Sequence, residues 1–211
     1  MIKKIRHIVF DQSFTIALLL FLAISQVSEA QSPLGDNLPQ PRVALRTNLL
    51  YDATLSPNVG LEVRVDTAWT VGLLAGVNAW DIDKTDNKKW RHMLFSLRAR
   101  KYLNDTIFHK GYIETDVIYS HYNVGNIKFP FGLYKSVRNH RLQGDLVALG
   151  GKYGYSWIMA RHWRIEAEAG VAVGYAWFKE YDCAVCGAFF GKDDRIFLLP
   201  QLGINVVYII N

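Results

Sequence analysis

Cysteine and proline are both scarce in this chain: two and six in 211 residues. Two thiols exclude a disulfide-dense mini-scaffold and a four-cysteine zinc site. Few prolines leave most of the backbone able to donate to a strand ladder. Long apolar runs are scarce too. Beyond residues 14–24 (FTIALLLFLAI), nothing approaches the roughly 18 consecutive apolar residues of a membrane helix. There is no block of five like charges, and the net charge of +5 is spread along the chain, which argues against a nucleic-acid partner. Apolar side chains are plentiful, at 50%, with 11 Tyr, 11 Phe and 6 Trp.

The first thirty residues read as an export signal. Lys3, Lys4 and Arg6 precede the apolar run, and Ser28-Glu29-Ala30 offers small residues where a signal peptidase reads, with cleavage before Gln31. An 11-residue run is short for a membrane anchor. The expected organisation is a signal peptide at 1–30, a short N-terminal segment at 31–41 and one folded domain at 42–211. Loss of 1–30 removes three bases and two acids and leaves a net charge of +4.

The clearest pattern lies at 163–177 (WRIEAEAGVAVGYAW). Every second residue is apolar or aromatic, while the other face carries Arg164, Glu166 and Glu168 and then small residues. Period two means a strand, here about twice the usual length. Similar alternation predicts eight strands, at 42–51, 58–66, 69–80, 91–103, 107–124, 145–159, 162–179 and 195–210. Connections at 66–68, 104–106 and 160–161 are tight. Those at 52–57, 81–90, 125–144 and 180–194 are longer. Short turns on one rim and long loops on the other, in an exported aromatic-rich chain, predict an all-β fold: an eight-stranded antiparallel transmembrane β-barrel of a Gram-negative outer membrane, with periplasmic turns and outer loops.

The faces agree with this reading. Outward positions are apolar, as in Val59, Leu61, Val63 and Val65. Inward positions hold Arg46, Glu62, Arg64, Asp66, Arg98, Arg100, Glu114, Asp116, Lys152, Arg164, Glu166 and Glu168, six acids against six bases. A matched set is what a filled interior requires, since unpaired buried charge is costly. Gly60, Gly72, Gly76, Gly150, Gly154, Gly170, Gly174 and Gly203 share that face, and Gly151 points the other way. An eight-stranded barrel has room only for side chains, and glycines beside Arg or Tyr let the large groups fit. Outward aromatics form two expected belts: Trp69, Trp157, Trp163 and Tyr208 near the short turns, and Tyr51, Tyr119, Tyr175 and Trp177 toward the long loops. Inverting every face gives a soluble lipocalin-like binder with those charges outside, the third reading.

The block 45–63 (LRTNLLYDATLSPNVGLEV) resembles the opening of an uncharacterised outer-membrane barrel family, domain of unknown function 3575. Asn78-Ala79-Trp80, His121-Tyr122-Asn123-Val124-Gly125, Gly154-Tyr155-Ser156-Trp157, Trp163-Arg164-Ile165-Glu166-Ala167-Glu168 and the Cys183-x-x-Cys186-Gly187 loop extend the resemblance over almost the whole exported chain. It implies an eight-stranded barrel of unknown molecular role. Relatives are often encoded near fimbrial components, which implies surface or fimbrial partners.

Chemistry is sparsely signalled. Cys183 and Cys186 read most simply as a short loop-closing disulfide in an oxidising compartment, with redox thiols or half a zinc site as alternatives. Ser120 and His121 are adjacent on a strand, so they point to opposite faces and cannot pair. Ser96 and Ser156 face inward, and His162 lies at a short turn. Glu114-x-Asp116 and Glu166-x-Glu168 read as cross-strand ion-pair partners of Arg98, Arg100 and Arg164 rather than an acid–base site. Loop 125–144, with Lys128, Lys135, Arg138, His140 and Arg141 among Phe129, Phe131 and Tyr134, reads with loop 180–194 as the recognition surface. The expectation is a non-enzymatic anchor or interaction protein with no cofactor or metal. Its partners would be outer-membrane lipid and lipopolysaccharide, the barrel-assembly machinery, and surface proteins. The alternative is a lipid-A or phospholipid-modifying enzyme.

Overall fold

The computed structural model describes residues 42–83, 88–104, 107–127, 137, 140–182 and 188–210. The expected signal and N-terminal segments, both cysteines, and Lys128 to Tyr134, Lys135 and Arg138 of the basic loop lie outside the described residues. In chain order the elements are β1 (Val43–Asn48), α1 (Leu49–Ala53), β2 (Asn58–Arg64), β3 (Trp69–Asn78), β4 (Asp81–Asp83), β5 (Lys88–Tyr102), β6 (Lys110–Gly125), β7 (Arg141–Ile158), β8 (Trp163–Asp182) and β9 (Ala188–Ile210).

Each long strand pairs antiparallel with its sequence neighbour, β3 pairs with β5, and β1 pairs with β9. The sheet therefore closes on itself as a ring of eight strands. β4 is a three-residue appendage on β5. Two of the expected tight connections sit where the chemistry predicts. At 65–69 the amides of Val65 and Asp66 both reach the Trp69 carbonyl, and Asp66 Oδ1 accepts from Thr67 N at 2.7 Å. At 158–163 the Trp163 carbonyl accepts from Met159 and Ala160.

The interior is layered and full. At the short-turn end Ala44, Tyr102, Ile107, Phe108, Tyr112, Val207 and Ile209 form an apolar plug. The charged residues come next. Above them Ile118, Ala148 and Ala172 pack with Leu94, Leu146 and Leu199. Toward the long loops Val124, Leu142, Ala176 and Phe178 make a second apolar plug with Trp90, Tyr122 and Phe197.

Three boundaries depart from the alternation. The first strand ends at Asn48, where the chain turns into α1. Asn48 caps that helix by accepting from Leu50 N at 2.9 Å, a competing use of a polar side chain that hydrophobic periodicity does not register. The second departure is at the β5–β6 connection. The strand expected from 107 starts at Lys110, with Ile107 and Phe108 folded inward ahead of it, and residues 105 and 106 of the expected tight turn lie outside the described residues. Phe108 and Lys110 hold positive φ (60° and 61°), and Phe108 is fully buried in the lower plug. Burial of a large aromatic side chain offsets the strained backbone there. The third departure is at the long loops. β6 runs to Gly125 and β7 starts at Arg141, while β8 and β9 stay paired up to Asp182 and Ala188. The ladder outlasts the alternation because backbone pairing does not require one apolar and one polar face.

These extensions make the ring uneven. β9 pairs with β8 along nearly its whole length but meets β1 only over Asn205–Ile210. Among the described residues, no strand pairs with the other side of Ala188–Ile204. The helix α1 stands where β1 would have continued, and it packs against β9. Pro200 lies in this half-paired stretch, where a residue without an N–H costs least.

Candidate functional site

Ten of the twelve predicted inward charges are buried: Arg46, Glu62, Arg98, Arg100, Glu114, Asp116, Lys152, Arg164, Glu166 and Glu168, five bases and five acids. Arg100 is the hub. It pairs with Glu114, lies 2.9 Å from Glu166, 3.0 Å from Glu168 and 3.5 Å from Glu62, and stacks its guanidinium over the Tyr112 ring at 4.2 Å. Arg46 pairs with Glu62 and lies 3.3 Å from Glu166. Lys152 reaches Glu114 at 2.7 Å and Asp116 and Glu168 at 3.3 Å. Arg98 is 3.7 Å from Glu114. Cross-strand register makes this possible: Arg98 faces Asp116, and Arg100 faces Glu114, which faces Lys152.

Two predicted members stand elsewhere. Arg64 is half-buried and Asp66 exposed, because Arg64 ends β2 and Asp66 lies in the β2–β3 turn, where Arg64 Nε donates to the Asp66 carbonyl at 3.1 Å. Arg164 is buried but works as a turn cap, donating to the carbonyls of Ala160 (2.6 Å) and Trp163 (3.0 Å). Neutral partners extend the network. Tyr112 donates to Glu166 and Glu168, Tyr102 and Thr70 to Glu62, and Gln201 to Asp116. Their inward parity on the strands is the sequence signal that marks them, and a search restricted to charged residues passes over it.

The opening block forms one unit around α1. Asn58 donates to the Asn48 carbonyl and to Asp52 Oδ1, both at 3.0 Å, and accepts from Asn48 N at 2.8 Å. Thr47 donates to Asp52 at 2.8 Å, and Trp80 Nε1 donates to the Leu55 carbonyl at 2.7 Å. Gly60 leaves room for Arg46, whose Cγ would lie 2.6 Å from an added Cβ. Tyr51, predicted on the outer aromatic belt, instead turns inward. The helix rotates it over a void of about 10 Å³ that Ser96, Arg98, Lys152 and Gln201 also line. A void of that size holds about one water and no organic ligand. Replacing Asn58 with Ala removes the central polar link of the latch and should cost roughly 1–3 kcal/mol. Hydrogen exchange should report lost protection at 48–58, with β6 and β7 unchanged. Unchanged exchange at 48–58 would show that the latch is unimportant.

The other seven belt aromatics, Trp69, Trp157, Trp163, Tyr208, Tyr119, Tyr175 and Trp177, are exposed on the outside of the ring. Beside the upper ones lies a cleft of about 490 Å³ on β6–β9. In it Asp145 accepts from the Tyr119 hydroxyl and lies against His121 Nδ1, both at 2.8 Å. Asp194 accepts from the Tyr175 hydroxyl at 2.8 Å. Tyr175 and Trp177 stand side by side with ring centroids 5.9 Å apart.

His121 is thus oriented by a carboxylate, as a general base would be, yet no Ser, Thr or Cys is among the described residues lining this cleft. Ser120, Ser96 and Ser156 are buried on the inward face, and His162 meets the Ile209 carbonyl at the short-turn end. His109, in the β5–β6 connection, is held below the usual histidine range by burial, with Lys110 and Arg164 adding to the effect. It is therefore uncharged at neutral pH. Among the described residues no group of three His, Cys, Asp or Glu side chains is arranged to hold a metal ion. The two described basic members of the 125–144 region are engaged with β8. His140 lies 3.4 Å from Glu180, and Arg141 stacks over Tyr181 at 4.0 Å.

Comparison with curated proteins and with solved structures gives no match. The sequence profile described as protein of unknown function (DUF3575) matches residues 15–210, and the chain belongs to that family.

Proposed function

We propose that the ring is a transmembrane β-barrel of a Gram-negative outer membrane, a non-enzymatic anchor that holds its long-loop end out for interaction. The observation that supports this best is the outer surface. All eight long strands contribute large apolar side chains that are exposed, among them Leu73 (61%), Leu149 (62%), Ile196 (75%) and Leu198 (67%). Leu73, Leu149 and Leu198 lie between the two levels of aromatic residues, and Ile196 stands opposite Tyr175 of the upper one. A soluble monomer rarely exposes an apolar patch of more than a few hundred Å², and here the apolar surface encircles the molecule. Lipid would cover it, with Trp and Tyr at the two interfaces. The described interior, occupied by two apolar plugs with the ion-pair network between them, argues against conduction and against a lipocalin-like cavity. Export by the 1–30 signal and insertion by the barrel-assembly machinery complete this reading, with outer-membrane lipid, lipopolysaccharide and surface or fimbrial proteins as partners.

Cell fractionation tests it. The protein should appear in the outer-membrane fraction and migrate faster on gels unheated than boiled. Recovery as soluble periplasmic protein would refute the proposal. The alternative, a lipid-modifying enzyme, is favoured only by the His121–Asp145 pair. Under it, His121→Ala abolishes a change in lipid A or phospholipid that the parent chain produces. Under the anchor reading the lipid profiles of both strains are identical.

A further inference from the structure

The cleft beside Trp177 carries an electrostatic feature that the anchor role leaves unexplained. Lys179 of β8 stands directly opposite Lys192 of β9. Like charges directly opposite each other in an antiparallel ladder repel. Among the described residues neither ammonium has an ion-pair partner. Carboxylates are close by, but they are held by other groups. Asp193 is taken by Arg195 at 2.7 Å, Asp194 by Tyr175, and Asp145 by Tyr119 and His121.

The arrangement is ordered along the strands. On β8 the outward series runs Tyr175, Trp177, Lys179, with successive members roughly 7 Å apart. Trp177 faces Asp145 on one side and Asp194 on the other. An aromatic wall therefore stands between two oriented carboxylates, with an unpaired cationic pair just beyond it. A flat aromatic surface stacks against the CH face of a sugar ring. Carboxylates fixed by tyrosine hydroxyls keep acceptor capacity for sugar hydroxyls and repel a phosphate from that level. The two lysines then take the phosphate, which relieves their mutual repulsion. Phosphatidylglycerol supplies the phosphate but no ring to stack, and a neutral sugar supplies the ring but no anion.

We propose that this cleft is a binding site for a phosphorylated saccharide, presented as the head group of an outer-leaflet glycolipid. Tyr175 and Trp177 receive the ring, Asp145 and Asp194 its hydroxyls, and Lys179 and Lys192 its phosphate. The lipid-anchored source rests on the membrane placement proposed above. The saccharide chemistry rests on the cleft alone.

The test uses the purified chain in detergent micelles and calorimetric titration. The probes are a water-soluble phosphorylated hexosamine disaccharide, its dephosphorylated form, inorganic phosphate, and phosphatidylglycerol in mixed micelles. The phosphorylated disaccharide should bind saturably, and the other three at least tenfold more weakly. Lys179→Gln combined with Lys192→Gln should weaken binding by about tenfold or more, the scale of losing charge-assisted hydrogen bonds. Trp177→Leu, which keeps the surface apolar, should lose a comparable factor. Retention of the heat-modifiable gel shift shows that the variants are folded, and should Trp177→Leu fail that check, the lysine variant decides. Equal binding of inorganic phosphate or phosphatidylglycerol would overturn the proposal in favour of an unspecific anion site. Unchanged affinity in the lysine variant would overturn it outright. Saccharide binding by a chain that fractionates as soluble would sink the membrane reading and leave this one. An outer-membrane chain that ignores the saccharide would do the reverse.

Discussion

Replacing Arg100 with Leu should destabilise the ring by about 3–5 kcal/mol, the usual scale for removing one partner from a buried ion pair. Arg100 touches Glu62, Glu114, Glu166 and Glu168, all buried. Without it, four carboxylates stay in a dry interior with Arg46, Arg98 and Lys152 as the nearby bases. The loss should show as a lower urea midpoint for the loss of heat-modifiable migration in detergent. Adding Glu114→Leu should recover part of the loss, because removing both members of a pair leaves less uncompensated charge than removing one. The contrast is Arg195→Leu. Arg195 also pairs at 2.7 Å, with Asp193, but both are exposed (53% and 42%). Solvent screens that pair, and its loss should be close to silent. Equal midpoints for Arg100→Leu and Arg195→Leu would show that the interior network adds nothing to stability.

Gly170→Ala should be nearly as damaging, whereas Gly151→Ala should be neutral or slightly stabilising. The two glycines lie on adjacent strands, one residue out of register, since Gly170 faces Lys152 and Gly151 faces Val171. A Cβ on Gly170 would overlap the Gly151 carbonyl oxygen and lie 2.6 Å from Lys152 Cγ. The carbonyl belongs to the ladder and cannot rotate away, so β7 and β8 must separate where Lys152 makes its three ion pairs. Overpacking of this kind typically costs about 1–3 kcal/mol, and more when backbone must move. A Cβ on Gly151 meets nothing within 4 Å. There alanine only removes some freedom from the unfolded chain, a gain of about 0.4–1 kcal/mol. Refolding yield into detergent, measured for both variants, separates the cases, and equal yields would show that the inward glycines are not there for space.

Much of the fold was legible because a closed sheet translates parity into side. Once Trp163 to Trp177 is read as one long strand, Arg164, Glu166 and Glu168 must share a face, and the structure buries all three. The same logic separated Gly151 from Gly150 and Ser120 from His121 with no three-dimensional information. Parity fails where the backbone stops being a strand. Tyr51 has outward parity, but a single helical turn capped by Asn48 carries it over the interior. Arg64 and Asp66 have the right alternation, yet the turn claims them. Beyond Lys179 the alternation fades while the ladder continues to Asp182 and Ala188, so Lys192, Asp193 and Asp194 read as loop in sequence and are found in β9.

The sequence by itself determined that this chain is all-β, that eight long strands pair in chain order, which residues face the same way along each, and the family it belongs to. Those properties follow from local period and from short connections, and both are written in consecutive residues. Only the tertiary structure decided which charges meet. Arg100 lies 66 and 68 positions from Glu166 and Glu168, and closure of β1 onto β9 is what brings opposite walls within ion-pair distance. The tertiary structure also decided that α1 covers the short side of the ring, and that Lys179 and Lys192 stand together above Trp177. Register between distant strands is set by ring closure and by the space glycines leave for their partners. Neither is a property of any one segment.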